Sequence, residues 1–220
     1  MIDSNTIESL LPEGPIFEMI LVTTDPSGHA NAAPVGVTRK GKELAVELAE
    51  DTTSAANLLA TGNANICLVR EPLVFAEAAF DLIGDGAFGE KQLQGIPCIS
   101  GAAATISARL MSSRRYIKKD ELGPTAFLHL TLEPTKVRSN GMPMPHSRRY
   151  SAAIEAIIHT TRVQIARRRK LRTAVDEYSL SARKEIQRAR RTGTDPATDE
   201  ALELCLERLG DEGRELNDEG

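Results

Sequence analysis

Tryptophan is missing from this 220-residue chain, and aromatic residues make up only 4% of it. The core must be built from Leu, Ile, Val and Ala, and few rings are available to stack nucleic-acid bases. No basic surplus compensates. The formal net charge is −4, which gives no overall attraction for polyanions. Cysteine is scarce as well: Cys67, Cys98 and Cys205 are widely spaced and odd in number. They form neither a metal spacing nor a disulfide framework, and are expected as reduced thiols in a cytoplasmic protein. No stretch approaches the roughly 20 apolar residues that span a bilayer. The N-terminal residues carry Asp3 and Glu8 and lack the pattern of a signal peptide. The four histidines, His29, His129, His146 and His159, show no metal spacing. There is no GxGxxG, no P-loop and no Gly-x-Ser-x-Gly elbow, which disfavours Rossmann, P-loop and hydrolase chemistry. No catalytic acid–base set stands out, and no metal site is expected.

What remains is an ordinary globular composition, 41% apolar and 26% charged, enough for one domain with an appendage or for two small domains. The hydrophobic period changes along the chain. Through about residue 140 it is that of strands. Ile16 to Thr24 is a continuous apolar run, suited to a strand buried on both faces. Asp25-Pro26-Ser27-Gly28 is a turn, and Ala33 to Arg39 continues as a strand. After a turn at Lys40-Gly41-Lys42, Leu44, Val46 and Leu48 alternate with Glu43, Ala45 and Glu47. A helix follows, capped by Thr52 or Thr53 and closed by Gly62, with Ala55, Leu58 and Leu59 as its apolar face. Asn65 to Val69 reads as a strand and Pro72 to Phe80 as a short helix. Residues 84–100 are Gly-rich and read as irregular. Ala103 to Arg115 and Thr125 to Val137 read as two long strands about a turn at Asp120 to Pro124, with Ala126, Leu128, Leu130 and Leu132 sharing one face.

Beyond the joint Gly141-Met142-Pro143-Met144-Pro145 the period is helical. Ile154, Ile158, Thr161 and Ile165 share a stripe flanked by Ile157. A second helix is expected over Ala174 to Arg191. A third starts at Asp195-Pro196, buries Leu202, Cys205, Leu206 and Leu209, and stops at Gly210. The expected organisation is a small antiparallel barrel over residues 1–140, a helical domain over 146–210, and a disordered acidic tail over 211–220.

Four segments invite a functional reading. In Asn31-Ala32-Ala33-Pro34-Val35-Gly36-Val37, small side chains let a flat ligand approach the backbone. Pro34 removes one amide from the ladder, which places the segment at an edge or bulge and leaves neighbouring backbone groups for a ligand. The plainer reading is an edge strand whose small residues make room for crossing chains. Glu50-Asp51-Thr52-Thr53-Ser54-Ala55-Ala56-Asn57 sets hydroxyls and free amides at a helix start, which suits a phosphate; the plainer reading is N-capping. Glu50 and Asp51 oppose a phosphate there unless they point away. Glu155, His159 and Arg162 follow one helical stripe, either toward a ligand or as a solvated polar face. The basic cluster Arg162, Arg167, Arg168, Arg169, Lys170 and Arg172, with Arg188, Arg190 and Arg191, reads as nucleic-acid binding or as a solvated helix end; the overall acidity favours the latter.

Taken together, three of these pieces resemble a known family. They are Phe17 to Thr24 with Asn31 to Val37; the hydroxyl-rich turn running to Asn57-Leu58-Leu59, then Pro72-Leu73-Val74-Phe75; and Ala153-Ile154-Glu155-Ala156-Ile157-Ile158-His159-Thr160-Thr161-Arg162. The chain resembles, over roughly residues 10–170, the FMN-binding split-barrel proteins of domain-of-unknown-function family 447. The resemblance implies an α+β fold with a mainly β core: an antiparallel split β-barrel, FMN-binding-protein-like, followed by a C-terminal helical unit. It also implies a homodimer with FMN at the subunit interface, the phosphate held by the hydroxyl-rich turn and the isoalloxazine edge along the Asn-Ala-Ala-Pro strand. By position it nominates Asn31, Ala32, Ala33, Pro34, Val35 and Gly36, then Thr52, Thr53, Ser54 and Asn57, with His159 and Arg162 matching the helix motif. The function implied is that of a flavoprotein, an oxidoreductase or flavin-reductase-like protein linked to one-carbon, methanopterin-type metabolism. The alternative is a non-catalytic barrel that binds another heteroaromatic ligand or a protein partner.

Overall fold

The computed structural model describes residues 4–13, 16–139, 148–192, 194 and 196–210. Contacts divide the chain into two compact units: residues 1–70 with 77–145, and residues 71–76 with 146–220.

After a short helix, α1 (Ser4–Leu10), the first unit is a closed antiparallel barrel of the strands β1 (Ile16–Thr24), β2 (Ala30–Lys40), β3 (Glu43–Ala49), β4 (Asn63–Leu68), β7 (Ala104–Asp120) and β8 (Gly123–Ser139), in the order β1-β2-β3-β8-β7-β4. β1, β2 and β3 form the expected meander. Met19 through Thr23 are buried without alternation, so both faces of β1 are covered, as its unbroken apolar run requires. Gly28 closes the β1–β2 turn at φ +92, and its N–H donates to the Asp25 carbonyl at 3.0 Å. β3 alternates as read, burying Leu44, Val46 and Leu48. α2 (Thr53–Thr61) starts on Thr52, whose side chain accepts from the Ala55 N–H, and ends on Gly62 in the left-handed region at φ +71. β4 (Asn63–Leu68) then returns beside β1, and the short helix expected over Pro72 to Phe80 follows as α3 (Pro72–Ala79). Met19, Leu21, Val46, Leu58, Ile66 and Leu130 are among the residues packed in the barrel core.

Some expectations are corrected. Leu59 is 50% exposed rather than part of the helix's apolar face; Ser54, Ala55, Asn57 and Leu58 are the buried set. Two of these are polar because the buried face carries hydrogen bonds to the barrel as well as packing. Residues 84–100 are not irregular. A short 3-10 turn (Asp85–Ala87) leads into a hairpin of β5 (Phe88–Leu93) and β6 (Ile96–Ile99). β7 (Ala104–Asp120) and β8 (Gly123–Ser139) are longer than expected, because the turn between them is only Glu121-Leu122. β4 pairs with β7 only as far as Arg109, so the outer part of β7 pairs with β8 alone.

The second unit contains α4 (Arg148–Arg168), α5 (Arg172–Arg191) and α6 (Pro196–Leu209). The stripe expected on α4 is displaced. Ile154 and the flanking Ile157 are buried as read, but Ile165 is 36% exposed and Ile158 and Thr161 are half-buried, whereas Ala152, Ala153, Ala156, Thr160, Val163 and Ala166 are buried. The buried face is alanine-rich, and α4 packs against α5, whose own buried residues are Ala174, Tyr178, Ala182, Ile186 and Ala189. On α6, Leu202, Cys205 and Leu209 are buried and Leu206 half-buried, and Gly210 ends the helix at φ +90. Arg149 is 6% exposed; it donates to the Ala189 carbonyl at 2.8 Å and pairs with Asp199. The joint 141–145, the Asp195 cap and the tail 211–220 lie outside the described residues.

Candidate functional site at the start of helix α2

The first half of β2 is a strand with one partner. Ala30 to Thr38 pair with β1 in unbroken register, Pro34 opposite Ile20, but pairing with β3 begins only at Val37. Ala30 to Gly36 therefore form an edge, the position that Pro34 requires. Ala32 and Val35 are buried, while Asn31, Ala33, Pro34 and Gly36 are half-buried. Gly36 is small for a reason internal to the barrel. A Cβ there would meet Ile16 Cγ2 at 2.9 Å. At this one position the plainer reading of the small residues holds.

α2 is tied to this edge by its first turn. Asn31 Nδ2 donates to Ser54 Oγ at 2.8 Å, and Asn57 Nδ2 donates to Thr23 Oγ1, in the buried end of β1, at 3.3 Å. Asn31, Ser54 and Asn57 are thus brought together, with Thr23 as a partner that the sequence reading did not single out. The Thr52 hydroxyl is committed locally: it donates to the Ala49 carbonyl at 2.8 Å and accepts the Ala55 N–H at 3.3 Å. Ser54 Oγ accepts from Asn31 and keeps its own proton to donate. Among the described residues, the N–H groups of Thr53 and Ser54 and the Thr53 hydroxyl have no acceptor. Donors at a helix start, reinforced by the macrodipole, favour an anion.

The acidic pair before the cap divides. Asp51 is exposed. Glu50 is held by a backbone bond to β8, its N–H donating to the Ala126 carbonyl at 2.9 Å, and both its carboxylate oxygens accept from Arg115 Nε, at 2.9 and 2.8 Å. Arg115 lies opposite Leu128 in the β7–β8 ladder and 65 residues along the chain from Glu50. No local sequence signal announces this pairing; only the ladder register brings the cation to the turn.

His159 and Arg162 lie in the second unit, on α4, around Tyr178 of α5. The His159 and Tyr178 ring centroids are 6.1 Å apart at 31°, and the Arg162 guanidinium sits 5.3 Å from the Tyr178 ring, with Nη1 3.5 Å from its hydroxyl. His159 Nδ1 is buried and has no hydrogen-bond partner among the described residues. Burial holds the His159 imidazole below its ordinary pKa, with Arg162 acting in the same direction and Glu155 and Glu185 against it. Several members of the basic cluster serve the helices themselves. Arg167 donates to the carbonyls of Arg208 and Leu209, both at 2.7 Å, and Arg188 and Arg190 pair with Glu185 and Glu203.

The three cysteines are free and buried. Burial pushes the Cys67 thiol up to about 11 and that of Cys205 to about 12, values that leave them protonated and unreactive. No group of three or more His, Cys, Asp or Glu side chains is placed to hold a metal ion among the described residues. No described helix is long and apolar enough to cross a membrane.

The geometry has a counterpart among known proteins. Residues 17–140 match the family model described as Protein of unknown function (DUF447) N-terminal domain, which covers the barrel and the start of α2. The chain belongs to the DUF447 family. A crystal structure of an FMN-bound DUF447 protein from Methanosarcina mazei is 25% identical, with a TM-score of 0.74 over 92% of this chain and 100% of that one. The split-barrel α+β class expected from the sequence is therefore the DUF447 fold observed here. The flavin reductase of the styrene monooxygenase from Pseudomonas putida S12 is 16% identical, with a TM-score of 0.45 over 60% of this chain and 93% of that one. Flavoredoxin of Desulfovibrio vulgaris is 14% identical, with a TM-score of 0.44 over 57% and 70%.

Proposed function

We propose that this DUF447 protein binds FMN, with the flavin ring along the β2 edge Asn31 to Gly36 and the phosphate at the start of α2. The observation that carries the reading is the Asn31–Ser54 hydrogen bond, which joins a one-sided strand edge to a helix start with unused donors. That a full-length structural relative in the same family is FMN-bound supports the choice of ligand. The residues fit the group. The N–H groups of Thr53 and Ser54 with their hydroxyls would hold the phosphate. The half-buried Ala33 and Pro34 leave backbone open beside the ring. Thr52 and Asn57 hold the helix start in place. When bound, FMN supplies electron transfer, while the protein supplies position and electrostatics.

The same proposal makes the protein a homodimeric oxidoreductase of the flavin-reductase type, with a place in one-carbon metabolism. The test is the visible spectrum of the purified protein, with mass identification of any released cofactor, followed by anaerobic addition of a nicotinamide donor. A flavin band at about 450 nm that bleaches with the donor is expected, since the cofactor carries the redox chemistry. A bound flavin that no nicotinamide donor reduces would leave a binding module and remove the reductase reading.

A further inference from the structure

We infer that Arg115 is the cation of the phosphate subsite, held in place by Glu50. The inference rests on the flavin reading above and names a residue which that reading does not include. Three observations carry it. Arg115 reaches the turn before α2 from the opposite side of the barrel sequence, through the β7–β8 ladder. Its contact with Glu50 uses Nε alone, at 2.8 and 2.9 Å to the two carboxylate oxygens. Among the described residues, neither Nη1 nor Nη2 donates a hydrogen bond, so these donors remain for a ligand although the guanidinium is paired with Glu50.

An arginine anchored through one edge and free at the other is suited to a phosphate, because the planar fork presents paired donors and its orientation is already fixed. The backbone of Glu50 is anchored, its N–H bonded to the Ala126 carbonyl, and both its carboxylate oxygens are turned to Arg115 Nε. The acidic residue beside the cap, which in the sequence opposes a phosphate, then acts as the positioning group for the cation that binds one. The cap supplies neutral donors from Thr53 and Ser54, and the ribbon supplies the charge.

The test compares FMN with riboflavin, which has the same ring and no phosphate. Dissociation constants are measured by fluorescence titration for the wild type, Arg115→Gln, Arg115→Lys, Glu50→Gln and the double variant Glu50→Gln/Arg115→Gln. Circular dichroism melts confirm that each is folded; both side chains are about half exposed, 57% and 42%. Arg115→Gln is expected to weaken FMN by about tenfold or more, the scale of a lost charge-assisted hydrogen bond, and to leave riboflavin within about twofold. Arg115→Lys keeps the charge without the fork and falls between. The double variant stays about tenfold weaker for FMN than Glu50→Gln alone, because Arg115 acts on the phosphate itself. Equal losses for both flavins, or no loss for FMN, overturn the inference while the flavin reading stands. So does a double variant that binds FMN as well as Glu50→Gln, which would reduce Arg115 to a neutraliser of Glu50. A wild type that binds neither flavin overturns the flavin reading and the inference with it.

Discussion

Gly36 and Ile16 show how a small residue can be required without a ligand. With a Cβ of residue 36 placed 2.9 Å from Ile16 Cγ2, Gly36→Ala must displace the neighbouring strand's side chain. Because Ile16 is 67% exposed and can turn toward solvent, the cost is about 0.5–1.5 kcal/mol, that of a side chain pushed off its rotamer, rather than that of an overpacked core. Urea unfolding should show that loss, and Ile16→Ala in the same chain should recover most of it; simple additivity would mean that the two residues do not compete for space. The buried thiols give a second residue-level prediction. Their folded pKa values, about 11 for Cys67 and about 12 for Cys205, exceed the ordinary 9.0. The folded state therefore holds protons that the unfolded state releases. Their contribution is fully present below pH 9 and is lost as pH rises from there through the folded values. Between pH 8 and 10.5 the wild type should lose stability faster than Cys67→Ala/Cys205→Ala, and parallel curves would contradict the assignment. At this scale local cues, small residues about a proline and hydroxyls at a helix start, singled out Asn31, Ser54 and Asn57, and the structure joins Asn31 to Ser54 and Asn57 to Thr23. Arg115 and Thr23 were not singled out, because strand register alone brings them to these partners and leaves no local pattern.

Among the elements, the β5–β6 hairpin is met by one buried side chain with several hydrogen bonds, beside the Thr135–Gln94 bond and the packing of Leu93, Ile96, Cys98 and Ile99. Asn65 Nδ2 lies within hydrogen-bonding distance of the carbonyls of Leu93, Ile96 and Pro97, at 3.2, 2.9 and 3.2 Å, and its Oδ1 accepts from Ser107 Oγ at 2.6 Å. Asn65→Leu removes this donor and leaves buried polar atoms unpaired, at a cost of about 1–3 kcal/mol for each group left unsatisfied. The expected outcome is a clear fall in the unfolding midpoint, with loss of amide-exchange protection first in residues 88–99. A variant that kept the hairpin protected would show that apolar packing holds it instead. The hairpin was hard to read because its strands are short, β5 mixes polar and apolar residues without a clean alternation, and glycines flank them at Gly84, Gly86 and Gly101. Its one clear signal is the two-residue loop Gln94-Gly95, both at positive φ (53 and 78), between the paired Leu93 and Ile96. β1, β3 and α2 were legible because burial period and caps agree there. α4 misled because alanines, weak in any hydrophobicity count, form its buried seam, while Ile165 and Ile158 lie toward its margin.

For the molecule as a whole, the change from strand period to helix period separated barrel from helices, and three dispersed motifs carried the family. The proposed FMN site rests on one place: the β2 edge, the first turn of α2, and the hydrogen bond between Asn31 and Ser54. The basic residues of the helical unit do not offer a rival of equal strength, since Arg149, Arg167, Arg188 and Arg190 are engaged within that unit. The most direct measurement is a titration of the flavin-free protein with FMN, followed by fluorescence and by the absorption band at about 450 nm that belongs to the flavin itself. Saturation at a single equivalent of FMN per chain is the expected result, weakened in a Ser54→Ala variant that removes both the acceptor of Asn31 and the donor proposed for the phosphate. A protein that stays colourless and leaves the fluorescence of added FMN unchanged would contradict the account.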